Sequence, residues 1–121
     1  MHQKSFIIKE ISNSIINLKS TNFPQEVLDI AKNLIVDISG VTIAGSTTKS
    51  AKLFYALAEE IYSSGNCKII GMNKFLNPSG SAFVNGASGH ALDFDDNCYA
   101  GIVHGSAVVF PAVLALSLIH I

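Results

Sequence analysis

The chain has 121 residues, a net charge of −1, 49% hydrophobic residues and 14% charged ones, which is the size of one domain and leaves no room for two full cores. All eight basic residues are lysine, so no basic stripe exists to bind nucleic acid and no guanidinium fork to grip a carboxylate at two points. Mean hydropathy is +0.40; a chain this apolar either packs a dense helical core or offers an apolar face to something else.

The N-terminus, MHQKSFIIKEIS, mixes charged and apolar residues without a continuous apolar stretch and reads as lacking a signal peptide. Phe6, Ile7, Ile11, Ile15 and Leu18 then recur at helical spacing, with Ser5 placed to cap. A second helix is announced by Asn22-Phe23-Pro24-Gln25-Glu26, where proline suits the first turn and glutamate the positive helix end. Val27, Leu28, Ala31, Leu34, Ile35 and Ile38 form its expected buried stripe, and Gly45, or Gly40 earlier, its stop.

A third helix is expected from about Ser50 to Ser64, with Leu53, Phe54, Leu57, Ala58 and Ile61 on one side and Gly65 closing it. Cys67–Gly71 is the one plausible strand. Asn77-Pro78-Ser79-Gly80 reads as a turn in which Ser79 caps a fourth helix. That helix spaces small residues at Ala82, Gly86 and Gly89, which lets a neighbouring backbone come close. Glycine inside a helix costs about 1 kcal/mol relative to alanine, so such placement has a packing or functional reason. The apolar run Ala107–Ile119 carries Pro111 and is too short to span a bilayer; it reads as a buried helix. The fold expected is mainly α, with at most one short strand near residues 67–71.

Chemistry concentrates between Asn85 and Pro111. Asp93, Asp95, Asp96 and His104 fall on one polar, unperiodic loop after a helix end. Three carboxylates in four positions repel one another unless helix N-terminal amides, histidines, lysines or a metal compensate. Acids crowded with a histidine suit proton transfer beside a carbonyl or carboxylate, although such clusters also serve as caps and solvated turns. Read alone, His90 is better taken as a packed histidine. A phosphatase-type DxD nucleophile needs a strand before it, and here a helix precedes. An aspartate-rich magnesium motif needs a different spacing. No metal site is expected. Cys67 and Cys98 are isolated and follow no metal spacing, as reduced thiols of a cytoplasmic protein would.

The blocks Asn85-Gly86, His90-Ala91-Leu92-Asp93-Phe94-Asp95-Asp96, His104-Gly105-Ser106-Ala107 and Pro111-Ala112 resemble the N-terminal region of the MmgE/PrpD family. Phe23–Val27, Leu34–Asp37 and Ala44–Ser46 look like that family's opening helices, so the resemblance runs from about Ile8 to Ala115. It implies part of a large all-helical domain with the active site against a second domain, a cytoplasmic homodimer, and cofactor-free lyase or isomerase chemistry on a small polycarboxylate. The substrate class is that of 2-methylcitrate, cis-aconitate or iminodisuccinate. His104 and Asp93 match catalytic positions, as proton donor or acceptor and polar anchor; Asn97, Asp96 and His90 are carried over as substrate-binding.

The family often has threonine at the position of Asn97 and proline at that of Gly105, which leaves the substrate subclass open. Its catalytic lysine and tyrosine come from later segments, and with no arginine here much of a polycarboxylate's charge would be neutralised from there. Leu116-Ser117-Leu118-Ile119-His120-Ile121 matches the translation of a sequencing-library adapter. The domain is therefore read as residues 1–115, followed by a non-native tail at 116–121, with the fragment itself inactive. The competing reading is a small helical interaction module without catalytic activity.

Overall fold

The structure, a computed structural model, describes residues 6–18 and 23–119. The chain divides into two units, residues 1–30 and 31–121. The expected cap at Ser5 and start signal at Asn22 lie outside the described residues. The first unit holds helix α1 (Ile7–Leu18) and the opening turns of α2 (Gln25–Gly45). In α1 the hydroxyls of Ser12 and Ser14 return to the carbonyls of Ile8 and Glu10 one turn back, at 2.8 and 2.9 Å. Helix α2 begins where the Pro24 carbonyl accepts the amides of Val27 and Leu28 at 3.1 and 3.3 Å.

The second unit is built around α4 (Pro78–His90), flanked by α3 (Lys49–Ile61), a small hairpin and α5 (Gly105–Ile119). Thr48 caps α3 by accepting the Ala51 amide at 3.2 Å. That helix ends at Tyr62, whose amide closes on the Ala58 carbonyl at 2.9 Å, short of the expected Ser64 and Gly65. The strand expected at Cys67 is β1 (Cys67–Lys68), and its antiparallel partner, not anticipated, is β2 (Phe75–Leu76), with Cys67 opposite Leu76. Gly71, at φ 75°, supplies the left-handed residue of the connecting turn.

Asn77, not Ser79, caps α4: its Oδ1 accepts the Gly80 amide at 2.8 Å, and Pro78 takes the first helical position, where no amide is needed. One face of α4 is buried and polar, and Ser81 and Asn85 on it are satisfied mainly by backbone of the hairpin. Ser81 Oγ donates to the Lys68 carbonyl at 2.9 Å; Asn85 accepts the Ile70 amide at 2.8 Å and donates to the Lys68 carbonyl at 3.2 Å. Ala58, Ile69, Leu76 and Val84 form the buried apolar cluster, with Phe83 edge-on to Phe54 at 5.6 Å between ring centroids.

Glycines set how closely the helices cross. At the end of α2, a side chain at Gly45 would land on the Ser88 carbonyl of α4. Pro111 leaves the Ala107 carbonyl without its usual donor four residues on. That carbonyl turns to Gly86, where a Cβ would sit 3.2 Å from it. Gly89 meets Ile38 and Thr42 of α2 at the same distance. The spacing of small residues read in the sequence is thus an approach surface for two helices.

Two burial expectations need correcting. Of the α2 stripe only Ile38 is buried, followed by Thr42 and Gly45, because α4 packs against the C-terminal half of α2 through Ser88 and Gly89. Leu34 and Ile35 instead remain 38% and 49% exposed. Together with Val109 and Val113 of α5 they line an apolar groove of about 370 Å³. Helix α5 is likewise buried on one side only, at Ala107, Pro111 and Ala115. No helix among the described residues is long and apolar enough to cross a membrane.

Replacing Asn85 with alanine leaves the part-buried Ile70 amide without its acceptor, a loss of about 1–3 kcal/mol. Urea denaturation of the two forms should resolve that difference, whereas an unchanged midpoint would show that Asn85 is not the staple between α4 and the hairpin.

Candidate active site

The backbone after α4 positions the acids. Ala91 and Asp93 close the helix end through the carbonyls of Ser88 and His90, at 3.2 and 3.1 Å. Asp93 then takes φ 55°, a left-handed conformation that aspartate tolerates better than most residues. This turn swings Phe94 outward, 74% exposed, and sends Asp95 back beneath His90, where its side chain has no solvent exposure. The chain next makes a tight excursion closed by the Cys98–Val103 bridge, with the Cys98 amide 2.9 Å from the Val103 carbonyl. Ile102 sits in it at φ 50°, a strained setting for a β-branched side chain. His104 follows directly and so returns to face the residues that left α4.

Each aspartate acquires a different partner. Asp95 lies between two imidazoles: His90 Nδ1 is 3.1 Å from its Oδ1, and His104 Nδ1 is 3.2 Å from its Oδ2. The two rings stand edge to face, 4.6 Å between centroids. Asp96 turns to the N-terminus of α5, its Oδ1 accepting the Ser106 amide at 2.9 Å. Donation from the Ser106 side chain, then from its amide, with the positive field of His104 adding to them, outweighs burial and lowers the Asp96 pKa below the ordinary carboxylate range. Asp93 remains 80% exposed, with Oδ1 3.9 Å from His104 Nε2.

Of the residues singled out in the sequence, His90, Asp93 and His104 come together around Asp95, with one donor atom from each of the four within 4.8 Å of the others. Asp96 is engaged in capping α5, and Asn97 is exposed on the loop. His90 is not packed away; 54% of its side chain is exposed. Sequence reasoning places Asp95 in the acidic loop but gives it no role. The available signal is the need of three neighbouring carboxylates for compensation, which points to the two histidines of the same stretch.

Two imidazoles and two carboxylates are donors that suit a borderline divalent ion. Here, however, both Nδ1 atoms face Asp95 rather than a common centre. His90 and His104 also border a surface pocket of about 600 Å³, otherwise walled by apolar residues such as Phe83, Ala107 and Val108, within the range of small-molecule sites. Tyr55 lies outside the cluster; burial and its hydrogen bond to Glu59 push its hydroxyl up to about 12, so it stays protonated at neutral pH.

A histidine–aspartate cluster beside a pocket, carried on packed helices, has the residue types that acid–base chemistry uses in many enzymes. The particular family follows from comparison: residues 9–118 match the MmgE/PrpD N-terminal domain, and the chain belongs to that family. It is 30% identical to the cis-aconitate decarboxylase of Aspergillus terreus over 94% of the chain, and 31% identical to that of Homo sapiens over 92%. The cis-aconitate decarboxylase-like protein of Aspergillus oryzae is 28% identical over 90% of the chain. In each case the chain spans 23% of the relative's length. No solved structure gives a significant match.

Because the Asp96 pKa is lowered in the folded state, its contribution to stability is present above the ordinary carboxylate range and disappears as pH falls through the lowered value. Melting temperatures recorded from neutral to acid pH should fall less steeply for Asp96→Asn than for the parent chain. Parallel curves would show that the cap carries no pH-dependent stability.

Proposed function

We propose that this chain forms the proton-transferring wall of a cofactor-independent lyase acting on a small polycarboxylic acid, with cis-aconitate decarboxylation the leading reaction. The observation that carries the reading is that His104 lines the pocket with Nε2 toward Asp93 and Nδ1 toward buried Asp95. That relatives from Aspergillus terreus and Homo sapiens are cis-aconitate decarboxylases supports the substrate class.

In the proposed reaction a carboxylate leaves as carbon dioxide, and the electron pair of the broken C–C bond spreads into the remaining conjugated carboxylate. The carbon that holds this charge then takes a proton. His104 delivers that proton, and a residue of this kind contributes about 10²–10⁴-fold to rate. Asp93 anchors the polar end of the substrate, and His90, Asp96 and Asn97 complete the substrate-facing edge. With no arginine in the chain, the donors that stabilise the enolate-like charge are proposed to come from elsewhere in the whole enzyme, itself proposed to be a cytoplasmic homodimer. The 121-residue piece is proposed to be inactive alone.

Assay of the full-length protein against cis-aconitate, 2-methylcitrate and iminodisuccinate tests this directly. The expected outcome is carbon dioxide release from cis-aconitate, insensitive to chelators, with kcat lowered about 10²–10⁴-fold by His104→Gln and a smaller loss for Asp93→Asn. Dehydration or epimerisation of another substrate would move the reaction within the same site. No turnover of any of the three, together with a stable, monodisperse 121-residue domain, would favour the interaction module.

A further inference from the structure

Asp95 has no part in the chemistry just described, yet it is the one member of the cluster whose side chain is wholly removed from solvent. A buried carboxylate is costly unless it is paired and hydrogen-bonded, and this one meets two rings. His90 Nδ1 lies 3.1 and 3.2 Å from its Oδ1 and Oδ2, and Oδ2 is also 3.2 Å from His104 Nδ1. His104 Nδ1 is itself buried and has no aligned hydrogen-bond partner. A lone pair on that atom would point its density toward a carboxylate oxygen, whereas an N–H there is attracted to it. Two other carboxylates compete: Asp93 on Nε2, at 3.9 Å and from a side chain 80% exposed, and Asp96, which feels the His104 charge but is turned to the Ser106 amide. Attraction to a solvated charge is weakened about fourfold relative to one inside the protein. The nearer, buried carboxylate wins.

We propose that Asp95 is a positioning residue that holds the proton of His90 and His104 at Nδ1 when the rings are neutral, so that proton exchange at His104 takes place through Nε2, on the side facing Asp93: Nε2 takes up a proton and is the atom that delivers it. A second ring nitrogen held by a carboxylate is the usual way a protein fixes which imidazole nitrogen does chemistry. The catalytic consequence rests on the role proposed for His104, while the tautomer itself does not.

The test is a long-range 1H–15N spectrum of the chain labelled at histidine, recorded at mildly alkaline pH where imidazoles are neutral, with His90→Gln and His104→Gln used for assignment. Both rings should show Nδ1–H, with Asp93→Asn leaving the pattern intact. Asp95→Asn should return His104 to the Nε2–H form that free histidine prefers, and Asp95→Glu should restore Nδ1–H. Nε2–H at His104 in the parent chain overturns the proposal outright, whether or not Asp95→Asn folds. Nδ1–H persisting in a folded Asp95→Asn overturns it too. Loss of the tautomer in an enzyme that still needs His104 would refute Asp95 alone. An intact tautomer in an enzyme indifferent to His104 would refute the proposed function alone.

Discussion

A carboxylate taken out of water must find positive or hydrogen-donating partners, and the arrangement around Asp95 follows from that requirement. His90 comes from the last turn of α4 and His104 from the residue before α5. To bring both to one buried acid the intervening chain must leave α4, reverse and come back within a dozen or so residues. The left-handed turn at Asp93 makes the reversal, and the Cys98–Val103 bridge makes the return. The strain at Ile102, of order 1–3 kcal/mol for such a conformation, is sustained because the ends of its loop are fixed by α4 and α5.

The loop could not close if the helices stood at ordinary distances. Gly86 on α4 and Gly45 on α2 let backbone meet backbone at the crossing points, and Gly89 makes room for the Ile38 and Thr42 side chains. Pro111 contributes by releasing the Ala107 carbonyl toward Gly86. Asn85, one residue earlier, ties the opposite face of α4 to the hairpin through the Ile70 amide and Lys68 carbonyl. The block from Asn85 to Pro111 therefore builds the scaffold and the site with alternate residues, which explains how one stretch carries both.

Helix identities are legible from periodicity and from the start and stop signals at Pro24 and Gly45, because those signals are local. The second strand is not, because Phe75–Leu76 is only two residues long and is defined by its partner. Ser79 looks like a cap by residue type, but Pro78 at the first helical position fixes the cap at Asn77. The expected burial of Leu34, Ile35 and most of α5 fails for a different reason. Hydrophobic spacing says which face seeks cover, not whether cover lies within these 121 residues. At the site, the crowding of Asp93, Asp95, Asp96 and His104 is visible in the sequence and the family resemblance singles out His104 and Asp93, whereas the depth of Asp95 depends on a turn two residues earlier that composition does not encode.

The chemistry proposed for this fold turns on His104 as the group that moves the proton. In the full-length protein, His104→Ala should nearly abolish carbon dioxide release from cis-aconitate, and added imidazole should restore it in a saturable manner by occupying the vacated space beside Asp95. Full activity in His104→Ala without imidazole would contradict that role, and the proton would then have to come from another residue.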